Sequence, residues 1–356
     1  LYYLIKYFFR KKSYLKLKEN TTQNKKNENK LEIIIIEGFW ENAHQWLRVS
    51  MFLNALRTKT NINIIGIYSK KLAPFFQKES IELFNPIKLL NIDFEIEPEF
   101  YKRAQFFLSK INSTREFLRL RIDYEFPIFY LYDDILRQES IGSFDDIIDK
   151  NVSFEYVIKK YNLKYYLAQT LSLLNFYNKI YKKNNISRTI ISHQVNSKFA
   201  CLSWISLLHD KNVFVLNYYN KHMTVRKLLS KKNMIKYFDD APFINEISEL
   251  TNEKKNRAIK LGFNYLNLVR KGEESEVQIA KPYGKGKNYF SSKEEFLNIH
   301  NLSNNKTNVV IMGNVWPDYP NGYSNGLFTD YVDWYLHTLS SIKLIDNCNW
   351  ILKSHP

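Results

Sequence analysis

The chain ends Lys353-Ser354-His355-Pro356, directly after Asn349 to Lys353, a run that reads as a buried strand. In open α/β sheets, ligands bind outside the carboxyl ends of the strands. A cation and an imidazole there can grip a phosphate, and a proline stiffens the turn that presents them. Spacing alone fits an ordinary polar turn as well. The residues upstream decide between the two. Residues 309–312 are apolar, Gly313 follows, and a loop carrying Asn314, Trp316 and Asp318 comes next. A tryptophan in such a loop can stack on a sugar or a base, and the carboxylate can bind hydroxyls. The bland role for Trp316 is packing beneath its own loop. From Leu327 to about Asn347, Phe328, Tyr331 and Trp334 recur at helical spacing and read as a core face. The run 309–353 is therefore one strand–loop–helix–strand unit of a parallel sheet.

A second set of candidates lies in the first half. Glu37 follows the strand 31–36 directly, Glu41 stands near the start of the next helix, and His44 sits in its first turn. The positive end of the helix dipole favours a charged Glu41 and an unprotonated His44, so both suit base work. Each would serve equally as a helix cap or a solvated surface group. His193 ends another apolar strand, 189–192, after Ser192. No Gly-x-Ser-x-Gly elbow surrounds Ser192, so that serine is not read as a nucleophile. His209, His222, His300 and His337 do not fall at metal-ligand spacing, and no metal site is expected.

The order of Asn314, Trp316, Asp318, Phe328, Asp333, Trp334, Thr338, Trp350, Lys353, His355 and Pro356 resembles that of bacterial capsule and surface-polysaccharide glycosyltransferases. The run Thr189 to His193, a helix from about Asn196 to His209 and a strand at 213–216 resemble the same family's Ser-His strand end. Pro317 departs from the pattern by separating Trp316 from Asp318. The likeness spans roughly residues 155–356, and residues 31–150 share only the architecture. What it implies is an α/β protein of GT-B type, with an acceptor-side and a donor-side Rossmann-like domain. It implies donor binding by His355 and Lys353, with Asn314, Trp316 and Asp318 lining the cleft. It implies catalysis by Glu41, His44 or His193, a nucleotide-sugar substrate, and no metal or other cofactor.

The elements that must position these residues follow from periodicity. A strand at 31–36, a helix near 43–58 and a strand at 62–67 open a Rossmann-like sheet. No Gly-x-Gly-x-x-Gly follows the first strand, which argues against a tightly held dinucleotide. Residues 98–182 read as mostly helical, with breaks near 123–127 and Gly142. The run 188–217 reads as a second strand–helix–strand. A long polar helix is expected near 245–270, a basic loop at 282–287 and a short helix within 293–306. This gives a basic, aromatic segment at 1–30, an N-terminal acceptor-side domain at 31–305, and the incomplete start of a donor domain at 306–356.

The 356 residues carry 52 Lys and Arg against 36 Asp and Glu, a formal charge of +16. The abundance of Lys, Asn, Ile, Tyr and Phe attributes much of that charge to overall composition. No zinc pattern, RNP-like motif or basic recognition helix suggests nucleic acid. Cys201 and Cys348 are too few for a disulfide framework and are expected as buried free thiols of a cytoplasmic protein. Residues 1–30 hold nine basic residues and two acids. Within them, 1–18 suit either an ordinary first helix or a peripheral contact with an anionic inner-membrane surface. The expected acceptor is a glycan or a lipid-linked oligosaccharide. Two competing readings are a CDP-glycerol-type polyol-phosphate transferase and a non-catalytic polysaccharide binder.

Overall fold

Four consecutive β-branched isoleucines, Ile33–Ile36, favour extended backbone and suit a strand buried on both faces. They form β1 (Glu32–Glu37) in the computed structural model. The structure describes residues 32–37, 49, 52–53, 55–57, 60–69, 86–138, 153–219, 222–231, 234, 248–271, 290–313, 328 and 331–353. On one side β1 pairs in parallel with β2 (Ile62–Tyr68), and β2 with β3 (Lys88–Asn91). On the other side it pairs in parallel with β6 (Ile186–Ile191), and β6 with β7 (Asn212–Tyr219). β8 (His222–Leu228) closes that edge antiparallel to β7. The sheet order is β3-β2-β1-β6-β7-β8.

The helical layer lies between β3 and β6 in sequence. It comprises α1 (Pro98–Leu108), α2 (Thr114–Arg119), α3 (Phe129–Gln138), α4 (Phe154–Lys160) and α5 (Leu163–Lys183). A two-residue antiparallel pair, β4 (Arg121–Ile122) with β5 (Phe126–Pro127), makes the break expected near 123–127. The backbone there turns through Tyr124 and Glu125, both at positive φ. That turn is held from outside, because Trp204 Nε1 donates to Tyr124 O at 2.9 Å. α6 (Ser197–Leu208) joins β6 to β7.

Alternation along the strands splits the core in two. Ile35, Ile65, Ile67, Ile191, Val213 and Val215 pack with the buried faces of the helical layer. Ile34, Ile36, Ile64, Ile190 and Leu216 pack on the other face with Val49 and Leu53. Those two residues belong to the helix expected near 43–58, and Ala43, Trp46 and Leu47 lie outside the described residues. A sheet covered on both faces explains why its central strands read as unbroken apolar runs.

The chain divides into two compact units. The first is Leu1–Tyr237 with Tyr319–Asn325, and the second is Phe238–Asp318 with Gly326–Pro356. The division thus falls well before the expected boundary at 305/306. The second unit holds α7 (Asn252–Arg270), α8 (Lys293–Ile299), β9 (Thr307–Met312), α9 (Tyr331–Ile342) and β10 (Cys348–Lys353). β9 and β10 pair in parallel, as the strand–helix–strand reading required. Asn349 pins the approach to β9: its Nδ2 donates to Ser303 O and to Asn308 Oδ1, and its Oδ1 accepts from Ser303 N. Leu297 and Ile311 are this unit's buried apolar side chains among the described residues. Phe328 and Trp334, expected as core, are only half-buried. Cys348 is also half-buried, while Cys201 is buried, and both are free thiols.

The two units should answer truncation differently. Leu171→Ala in α5, fully buried, is expected to cost about 2–5 kcal/mol in urea unfolding of the full chain. Leu266→Ala in α7, an exposed position, should stay within about 0.5 kcal/mol. Equal losses at the two sites would contradict this distribution of the core.

Candidate functional site at the sheet's carboxyl rim

The strands run outward from β1 to β2 and β3, and the chain then returns to the opposite side of β1 with β6. The order reverses between β1 and β6. In doubly wound sheets that reversal opens a crevice at the carboxyl ends of the two strands. Glu37 ends β1 there, and Ser192-His193 follow β6.

A bulge sets their register. Between Ile33 and Ile34 the pairing skips Ser187, whose Oγ donates to Ile33 O at 3.0 Å. From there Ile34 faces Arg188 and Ile36 faces Ile190, which brings the end of β6 beside Glu37. Ser192 N donates to Glu37 Oε1 at 2.6 Å, and Ser192 Oγ donates to the same oxygen. At the amino end of the pair, Glu32 and Arg188 form an ion pair at 3.0 Å. A second serine–carboxylate link lies further along the rim. Ser69, just after β2, donates through Oγ to Asp93 Oδ1 at 2.5 Å, beyond β3.

His193 is half-buried next to the Glu37–Ser192 link. Val195 N donates to its Nδ1 at 3.4 Å, so Nδ1 carries no proton. The neutral ring then keeps its hydrogen on Nε2. Burial, reinforced by the positive charge of Arg137, pushes the His193 pKa down to about 4. At neutral pH this ring is a neutral hydrogen-bond donor through Nε2.

The amino terminus of α6 is occupied from within. Asn196, at φ 84°, caps it by accepting from Lys198 N at 3.2 Å. Asp134 of α3 places Oδ2 2.7 Å from Ser197 N, a carboxylate where such a terminus would otherwise take an external anion. Burial pushes the Asp134 carboxyl up to about 6, against the Ser197 bonds and the nearby Lys198 and Arg137. Its Oδ1 has no hydrogen-bond partner among the described residues, and neither do Gln194 Oε1 and the Tyr177 hydroxyl. Gln194 and Tyr130 both donate to Met234 O, tying this wall together. Burial holds the thiol of Cys201 well above its ordinary pKa, helped by Asp134, so it is no nucleophile.

Of the site residues singled out from sequence, Glu37, His193 and Lys353 fall within the described residues. His193 stands on the rim of the first unit. Lys353 is exposed at the end of β10 in the second. Glu41, His44, Asn314, Trp316, Asp318 and His355 lie outside the described residues. Glu37, read as one of three possible bases, is instead a buried strut whose carboxylate is engaged by Ser192. Asp134, Gln194 and Tyr177 were not anticipated. A pair of acids inside an apolar helix, Asp133-Asp134 between Tyr132 and Ile135, was the available signal for the first. Among the described residues, no three His, Cys, Asp or Glu side chains gather as a metal site would need. Likewise, no helix among them is long and apolar enough to cross a membrane. Searches against family models, curated proteins and solved structures gave no match to this chain.

The two perturbed groups act oppositely on stability. His193 titrates at about 4 when folded against 6.5 when free, so acid favours unfolding across that window, by at most about 3 kcal/mol. Asp134 titrates at about 6 against 3.8, so the folded state gains from acid over nearly the same range, by up to about 3 kcal/mol. The contributions offset one another in the native chain. Asp134→Asn keeps an oxygen for Ser197 N but removes the titration. Its urea-unfolding free energy should therefore fall more steeply than wild type from pH 6.5 to 4. His193→Gln should shift the slope the other way. Parallel pH profiles for all three proteins would refute this assignment.

Proposed function

We propose that the chain is a glycosyltransferase of surface-polysaccharide assembly, moving a sugar from a nucleotide-sugar to a glycan or lipid-linked acceptor. The observation that carries the reading is the position of His193 and Glu37 at the carboxyl ends of β6 and β1, where the strand order reverses. The Ser-His strand end there is also one of the two segments that resemble the capsule glycosyltransferases. The parallel β9–α9–β10 unit ending in Lys353 is consistent with the other segment.

On this reading the first unit is the acceptor side of a GT-B enzyme and the second belongs to the donor side. His193 contributes a hydrogen bond from Nε2–H to a substrate oxygen and is not the base, since its Nδ1 is engaged and its Nε2 protonated. The base falls to Glu41 or His44 in the segment after β1. Asn314, Trp316 and Asp318 bind the sugar or base of the donor, and Lys353 and His355 its phosphates. Cations at the departing phosphate supply the charge stabilisation that the transition state needs.

The test is turnover of a nucleotide-sugar panel with envelope-lipid acceptors, with CDP-glycerol as the competing donor. The full chain should release nucleotide from at least one nucleotide-sugar. His193→Ala should lower kcat/KM about 10²-fold. His193→Gln, which keeps an N–H donor, should recover most of that loss. Turnover of CDP-glycerol alone would sink the proposal in favour of polyol-phosphate transfer. An inactive Gln variant with unchanged stability would assign His193 as the base.

A further inference from the structure

α7 has no buried residue along its 19 positions. Thr251 caps it, with its hydroxyl accepting from Lys254 N, so the helix is stabilised locally and not by burial of a face. Ile259, Leu261 and Phe263 are 56%, 60% and 64% exposed, and Leu266 and Leu268 are exposed too. Tyr265 and Val269 are half-covered. At 3.6 residues per turn, the apolar positions from 258 to 269 sweep an arc of roughly 220°. Asn256, Arg257, Lys260, Asn264 and Asn267 fill the remaining arc. The helix carries five cations, Lys254, Lys255, Arg257, Lys260 and Arg270, against one acid, Glu253. An exposed apolar surface of this kind marks an interaction site.

We infer that α7 is an interfacial helix that lies along an anionic lipid surface. Charge selects the occupant. A protein partner suited to the arc would need only apolar side chains, whereas this arc is flanked by Lys and Arg with no acid after Glu253. Aliphatic and aromatic side chains over one arc, with Arg257 and Lys260 on the opposite arc and Lys254, Lys255 and Arg270 at the two ends, where long side chains reach headgroup phosphates, is the pattern of helices that lie in a membrane plane. The helix is about 28 Å long at 1.5 Å per residue, and it lies flat because its polar arc runs its full length. This inference does not depend on the transferase reading. It also places lipid contact at a site separate from residues 1–18.

The experiment is co-sedimentation of the full chain, residues 1–18 included, with phosphatidylcholine vesicles and with vesicles containing phosphatidylglycerol. The wild type should bind the anionic vesicles, lose binding in high salt and ignore the neutral ones. The triple change Leu261→Gln, Phe263→Gln and Leu266→Gln keeps helix-forming residues at exposed positions. It should weaken binding about tenfold or more. The charge change Lys254→Glu, Arg257→Glu and Lys260→Glu is an independent second variant and should do the same. Circular dichroism confirms that each variant folds. The inference is overturned if the wild type binds neither vesicle, or if both variants bind like wild type. It also fails if light scattering finds a lipid-free dimer that the Gln variant dissociates, since a second copy would then cover the face.

Discussion

Glu37 is a carboxylate only 5% exposed at the end of a strand made of isoleucine. A charge in that position is tolerated only when donors replace the lost water. Ser192 supplies both its backbone N–H and its hydroxyl. The bond does more than neutralise a cost. It fixes the end of β6 against the end of β1, and the next residue is His193. Lengthening the strand pair by one residue would turn Glu37 away from Ser192, so the bulge at Ser187 and the rim geometry are one constraint. The same device recurs at Ser69 and Asp93. The rim is stitched by short serine–carboxylate links, one of them directly beside His193.

The interior beneath this rim is polar where a sheet protein is usually apolar. Tyr181, Thr189 and Ser206 share hydrogen bonds inside the layer between α5, β6 and α6. Asn178 donates to the Tyr124 hydroxyl and accepts from His209 Nε2, and His209 stacks on Tyr181 with ring centres 5.4 Å apart. Buried hydroxyl networks of this kind favour one packing over its near alternatives, since a shifted helix leaves donors unpaired. The helical layer is thereby keyed to the sheet in a single orientation, which keeps Asp134 on the amino terminus of α6.

Much of the architecture is legible from the sequence because two-sided burial writes itself as apolar runs. β1, β2, β6 and β7 correspond to such runs, β9 and β10 to apolar runs that are mostly half-buried or exposed, and α5 and α6 to longer apolar periodicity. β3 and β8 escape that reading. β3 has four half-exposed or exposed residues, and β8 is an edge strand whose Lys227 and Arg226 interrupt the apolar signal. The boundary between units is also poorly written, because α7 resembles a surface helix of either unit. At the site, His193 was found from its place at a strand end. The roles of Glu37 and Asp134 were not, since each depends on a partner far along the chain, and spacing carries no information about such pairs.

The central pair of the sheet joins strands whose bonded residues, Glu37 and Ser192, are 155 positions apart. Everything between them, the strands β2 to β5 and the whole helical layer, must be made before β1 gains its second neighbour. Closing so long a loop is entropically slow, and contacts of this separation are won late in folding. During synthesis β1 therefore emerges as an isoleucine-rich ribbon with one edge open for most of the time the domain takes to leave the ribosome. Its flanking acids, Glu32 and Glu37, are the charges that discourage an early mispairing, and each later finds its permanent counterpart on β6 or just beyond it.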